Sequence, residues 1–170
     1  SATALQVHMA MSVIANDGVL MEPRLVRRIF NEAGETVLEY EPKARRRVVS
    51  EYTARQMAAI LSQVVGAEGT ARRAEIPGFE VAGKTGTTQK IIDGQYSRQH
   101  HVGSFVGFFP ASRPRLLITV VVDDAQTEGV AYGGVVAAPA FRNIAEKAIR
   151  YLGIQPVDTA EPILAARDEP

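Results

Sequence analysis

The sequence predicts an α+β fold, in which a three-stranded antiparallel meander over residues 79–122 carries packed helices beside a separate hairpin. Three observations lead there. Leu116 to Val122 is an apolar run, β-branched at most positions and bounded by turn residues, the pattern of a central strand covered on both faces. Val102 to Phe109 and the alternating stretch around Phe79-Glu80-Val81-Ala82-Gly83 are further strands upstream of it. Apolar residues at helical spacing lie before and after this block and supply its covers.

Taken in order, Leu5, Met9 and Val13, with Val7, Met11 and Ile14 beside them, predict a helix over 2–16 that is apolar on most of its surface and stops at Asn16-Asp17-Gly18. Arg24 to Phe30 and Thr36 to Tyr40 are β-rich and flank Asn31-Glu32-Ala33-Gly34-Glu35, a hairpin loop by length and composition. Ser50 is placed to cap a second helix whose stripe is Met57, Ile60, Leu61 and Val64, ending at Gly66. Ile91-Ile92-Asp93-Gly94-Gln95-Tyr96 carries a tight-turn dipeptide and reads as a small flap, and Ser112-Arg113-Pro114-Arg115 turns the chain into the last strand. Pro139 suits the first turn of a closing helix striped with Phe141, Ile144, Ala145, Ala148, Ile149 and Leu152, with Gly153 as its stop. Residues 155–170, with Pro156, Pro162 and Pro170, show little periodicity and are expected to be a loosely attached tail to a domain over 1–154.

At 170 residues and 46% hydrophobic, the chain has a one-domain length with enough apolar material for a sizeable core. Nineteen basic residues balance nineteen acidic ones, so no net field draws nucleic acid, and Arg45-Arg46-Arg47 reads as a solvated loop. The absence of cysteine excludes a thiol nucleophile, a disulfide scaffold and a cysteine-based zinc site. His100 and His101, adjacent on an extended chain, face opposite ways and make a poor chelate, so no metal and no cofactor is expected. A Ser104–His101–Asp123 triad has no nucleophile-elbow pattern around Ser104, and His8 reads as a core or interface histidine. No stretch reaches the roughly 20 apolar residues that span a bilayer, and the chain looks like a piece of something longer.

The chemistry concentrates at Lys84-Thr85-Gly86-Thr87, which puts a cation and two hydroxyls on one strand. Alternation sends Thr85 and Thr87 to one face, where they can share an anion, and Lys84 to the other. Gly83 and Gly86 leave room for another backbone, such as a peptide, to approach. An ordinary edge strand with a solvated lysine is the alternative reading of these four residues.

Val81-Ala82-Gly83-Lys84-Thr85-Gly86-Thr87, Ser104-Phe105-Val106-Gly107-Phe108-Phe109-Pro110-Ala111 and Tyr132-Gly133-Gly134-Val135-Val136-Ala137-Ala138-Pro139, with Glu68-Gly69-Thr70-Ala71 ahead of them, strongly resemble the class B penicillin-binding proteins, and within them the cell-division D,D-transpeptidases. The resemblance runs from Ser1 to about Ile154. It implies part of a penicillin-binding-protein and serine β-lactamase-like transpeptidase fold, acyl transfer at a serine, and a setting outside the cytoplasmic membrane, anchored by a segment not in this chain. It assigns Lys84 and the backbone N–H of Thr87 to catalysis, and Thr85, Gly86, Thr87 and Thr88 to binding the stem peptide of peptidoglycan or the carboxylate of a β-lactam. Thr88 and Gln89 continue a strand to which a substrate backbone can add itself, and Tyr96 either covers the cleft or belongs to a disordered surface loop.

Such enzymes also need S-x-x-K and S-x-N, and no serine of this sequence is followed by lysine at the third position or asparagine at the second. The expectation is therefore the C-terminal part of a transpeptidase domain, silent alone, whose partners are the rest of that domain, with other division proteins as further candidates. A non-catalytic binding or scaffold module, or part of a β-lactamase or D,D-carboxypeptidase, remain as alternatives. Strands from outside this chain would pair beside Leu116 to Val122; without them, self-association or pairing with the 24–40 hairpin is expected.

Overall fold

The computed structural model describes residues 2–127 and 129–156 of the chain. Thr3 caps helix α1 (Ala4–Ala15) reciprocally: its hydroxyl accepts from the Gln6 N–H at 3.2 Å and its own N–H donates to the Gln6 side chain at 2.8 Å. Gly18, at φ +85, then returns its N–H to the Val13 carbonyl and ends the helix. β1 (Val19–Met21) pairs with β4 (Ala44–Arg47), and β2 (Arg28–Phe30) with β3 (Thr36–Glu39), as two separate two-stranded sheets. The predicted hairpin is present with a shorter first strand. The arginine run is not a loop: Arg45, Arg46 and Arg47 lie in β4, where β1 supplies ladder partners for the backbone while the side chains stay exposed.

Helix α2 (Glu51–Ser62) starts at Ser50, whose hydroxyl accepts from the Thr53 N–H at 3.1 Å. Its buried face is Ala54, Ala58 and Leu61, whereas Met57 and Ile60 of the predicted stripe are 37% and 58% exposed. The small alanines set this face, because they let the helix come close to the sheet. A 3-10 turn, Arg72–Ala74, leads into the central sheet of β5 (Ala82–Ile92), β6 (Gln95–Phe109) and β7 (Leu116–Asp123), antiparallel in that order. This is the expected meander, with longer first and second strands. α3 (Gly133–Val136) and α4 (Ala138–Leu152) close the fold, and Gly153 stops α4 at φ 60.

The sheet is the middle of three layers. On one face Met11 and Ile14 of α1 and Ala58 and Leu61 of α2 pack on Ala82, Phe108 and Leu117. On the other, Phe141 and Ala145 of α4 pack on Phe105, Phe109, Ile118 and Val120. His8 joins the first pair of layers, its Nδ1 lying 2.9 Å from the Thr119 hydroxyl. Both faces of β7 are thus covered, as its apolar run implies, but β7 lies at the sheet edge among the described residues, and its side chains are half-buried or exposed. The 28–39 hairpin does not pair with that edge. In α4, Ile144 and Leu152 are 47% and 53% exposed, so the buried stripe is narrower than predicted. The proposed tail lies outside the described residues from 157 onward; Gln155 and Pro156 are exposed.

Phe105 is the centre of the second core. It is fully buried and meets Phe141 edge to face at 4.8 Å between ring centroids. Its ring fills the space beside two glycines: a Cβ on Gly83 would stand 2.5 Å from the ring, and one on Gly107 2.8 Å. The gap at Gly83 is therefore occupied by the chain itself and not left for a substrate backbone, and at Gly86 the Ser104 hydroxyl stands in the corresponding place, 2.5 Å from a would-be Cβ.

At the far end of the sheet, Lys90 of β5 lies 2.9 Å from Asp123 and 3.9 Å from Asp124, while His100 Nδ1 of β6 lies 2.8 Å from Asp124. The hydrogen bond from His100, helped by the charge of Lys90, holds the Asp124 carboxyl below its ordinary value.

Two measurements test this packing. Phe105→Ala should lower unfolding stability by about 3–5 kcal/mol in denaturant titration, the lost burial of the ring adding to the cavity left beside Gly83 and Phe141. Asp124→Asn keeps a residue suited to the φ of 57 at this position and removes only the charge. A depressed carboxyl stabilises above its ordinary pKa and loses that contribution as the pH falls through the depressed value. Denaturation midpoints should therefore separate wild type from the variant at pH 6 and converge as the pH drops below 3.8.

Candidate active-site wall

Thr85 and Thr87 lie on the α3–α4 face of β5, opposite Phe105 and Gly103, and Lys84 lies on the α1–α2 face, opposite Val106. Lys84 and Thr87 are exposed and Thr85 half-buried. β5 pairs only with β6 among the described residues, so its other edge carries free backbone groups. Lys84 Nζ donates to the Thr85 carbonyl at 2.9 Å, which keeps the ammonium beside the strand.

The hydroxyls are positioned from behind. The Gly133 N–H donates to Thr87 Oγ1 at 3.2 Å. With that lone pair used, the Thr87 O–H is free to donate to an incoming anion. Thr85 Oγ1 lies 3.3 Å from the hydroxyl of Thr70, so one of the two donates to the other and the second O–H stays available. The Tyr132-Gly133-Gly134 turn reaches these strands because its two glycines carry no side chains: a Cβ on Gly133 would lie 2.1 Å from the Ser104 carbonyl oxygen and 2.5 Å from that of Gly86, and one on Gly134 2.0 Å from the Thr70 carbonyl oxygen. The sequence alone assigns Thr70 no role; the Glu68-Gly69-Thr70-Ala71 block that holds it is the signal it carries.

Gly86 is half-buried between the threonines and Thr88 is exposed beyond them. Tyr96 is 71% exposed but stands opposite Ile91 in the β5–β6 hairpin and does not belong to a disordered loop. The two adjacent histidines diverge as alternation requires: His100 meets Asp124, and His101 is buried with its Nδ1 unpartnered. Ser104, three residues from His101, lies on the other face of β6, and Asp123 is engaged by Lys90, so no triad is assembled. Among the described residues no cluster of three His, Asp or Glu side chains is placed to hold a metal ion, and no helix is long and apolar enough to cross a membrane.

Comparison with known proteins gives this wall its context. Residues 1–146 match the family described as penicillin binding protein transpeptidase domain. The chain is 40% identical over 157 residues to stage V sporulation protein D of Bacillus subtilis, covering 92% of this chain and 24% of that protein. It is 33% identical over 162 residues to the probable peptidoglycan D,D-transpeptidase PenA of Neisseria gonorrhoeae, covering 95% of this chain and 25% of that one. Among solved structures, penicillin binding protein 3 from Mycobacterium tuberculosis complexed with aztreonam superposes with a TM-score of 0.80 at 30% identity, covering 99% of this chain and 38% of that chain. The chain thus spans about a quarter of the length of these curated relatives. It belongs to the penicillin-binding-protein transpeptidase-domain family, of the class B type.

Proposed function

We propose that this chain supplies the K-T-G wall of a peptidoglycan D,D-transpeptidase that cross-links stem peptides by serine acyl transfer outside the cytoplasmic membrane during cell division. The observation that carries the reading is the pair of donor hydroxyls, Thr85 and Thr87, braced by Thr70 and Gly133 on a strand whose edge is open and beside which Lys84 stays exposed. Two O–H donors and a nearby cation suit the C-terminal carboxylate of a D-alanyl peptide, or the carboxylate of a β-lactam in its place.

In this reading a serine on polypeptide outside these residues attacks the penultimate D-alanine carbonyl. The carbonyl oxygen gains negative charge, which the Thr87 N–H receives together with a second donor from the serine's own segment. The terminal D-alanine leaves as its amine takes a proton, and the amine of a neighbouring stem peptide then displaces the serine. Lys84 raises the positive potential at the anionic substrate and donates to the S-x-N serine of the opposite wall. Thr88 and Gln89 offer backbone for the peptide to lie along as an added strand. Partners are the remainder of the domain and the proteins of the division machinery.

A binding module with no chemistry is separated from this reading by fluorescent penicillin. The purified chain should take no covalent label, while the full-length protein containing it should label at one serine. Stoichiometric acylation of the isolated chain, or none of the full-length protein, overturns the assignment. In the full-length protein Lys84→Ala should slow acylation by about 100-fold.

A further inference from the structure

β5 does not end at the threonines. It continues to Ile92, turns through Asp93 and Gly94 at φ 52 and 78, and returns with Gln95 opposite Ile92 and Tyr96 opposite Ile91. The base of this hairpin is fixed. Residues 97–100 bulge opposite the single Lys90, and the Ser97 hydroxyl accepts from the N–H groups of Gln99 and His100 at 3.2 and 3.1 Å. Lys90 and His100 then tie both strands to Asp123 and Asp124 at the end of β7. At the tip of this anchored hairpin, Ile91 and Tyr96 are 63% and 71% exposed. This cross-strand pair, exposed on an anchored element and in line with the β5 edge, is available as a contact surface.

Its distance along β5 indicates what it touches, on the reading that this edge holds a stem peptide. With the carboxylate at Thr85 and Thr87 and the penultimate carbonyl at the Thr87 N–H, the peptide runs antiparallel to β5, its amino end toward Ile91. The strand rises about 3.4 Å per residue, so about 14 Å separates Thr87 from Ile91. The four stem residues from the penultimate one back to the amino end span about the same length. At that end the peptide is joined through a lactyl group to an N-acetylated amino sugar. We infer that Ile91 and Tyr96 form a platform for this sugar of the glycan strand. A tyrosine suits it: the ring lies against the apolar C–H face of a pyranose while the phenol reaches its hydroxyls. Binding energy so far from the reacting bond becomes useful when it positions the carbonyl, which makes it visible in turnover.

The test uses the full-length protein and two acyl donors, a free stem pentapeptide and the same peptide carried on its N-acetylglucosaminyl-N-acetylmuramyl disaccharide, with the rate of penicillin acylation as a check that the site is intact. The wild type should prefer the disaccharide-linked donor in kcat/KM, and in Tyr96→Ser that preference should fall about tenfold. Ile91→Ser should reduce it in the same direction, which covers the case of a variant that does not fold. Equal use of the two donors by the wild type, or an undiminished preference in both variants, overturns the sugar platform alone. Failure of the wild type to use either donor overturns the transpeptidase reading on which it rests.

Discussion

The constraint on which this structure turns is the approach of a glycine pair to a strand pair. Gly133 and Gly134 fit against the backbone of β5, β6 and residue 70 so closely that a single added carbon at either would collide with carbonyl oxygen. Only at that separation can the Gly133 N–H reach Thr87 Oγ1 and the Thr70 hydroxyl stand beside that of Thr85. The Gly133 contact uses the acceptor side of the Thr87 hydroxyl and leaves its proton to give, and the Thr70–Thr85 pair keeps one O–H free. On the proposed function, this bracing turns Thr85 and Thr87 from rotating side chains into aimed donors, and the cost of aiming them is met in folding and not at the moment of binding.

What holds the glycine pair in place is the aromatic core behind it. Phe105 lies over Gly83 and Gly107, Phe141 meets it from α4, and α3 runs directly into α4 from the Gly133 turn. The β5 edge and the core are therefore one mechanical unit: glycines in β5 and β6 admit the ring, the ring seats α4, and α4 holds the turn that contacts the threonines. At the far end of the same strand, the ion cluster of Lys90, His100, Asp123 and Asp124 fixes the hairpin that continues beyond the site.

Much of this was legible in the residues. The meander, the Ser50 cap, the Asp93-Gly94 turn and the Gly153 stop follow from local chemistry: alternation, a side-chain oxygen at a helix start, backbone positions at positive φ. The opposed faces of Lys84 and Thr85 follow from strand geometry alone. What local pattern could not give was the side from which space is filled. Gly83 reads as a vacancy for a substrate until Phe105, 22 positions later, is seen to occupy it. Met57 and Ile60 read as core because their spacing is helical, yet the sheet selects the neighbouring alanine face, which permits closer packing. The apolar run of β7 signals two covered faces and carries no information about its edge. Thr70 and Gly133 act on the site through contacts made only in the folded chain, across separations of 15 and 46 residues.

The central claim is that Thr85 and Thr87 recognise a carboxylate, and a thermodynamic cycle addresses it most directly. Acylation of the full-length protein is measured with a penicillin and with its methyl ester, in the wild type and in Thr85→Val with Thr87→Val. The account predicts that the wild type loses about 100-fold in acylation efficiency when the charge is esterified, and that the doubly substituted protein treats acid and ester nearly alike. The same penalty in both proteins would contradict it, because the carboxylate would then be held by other groups.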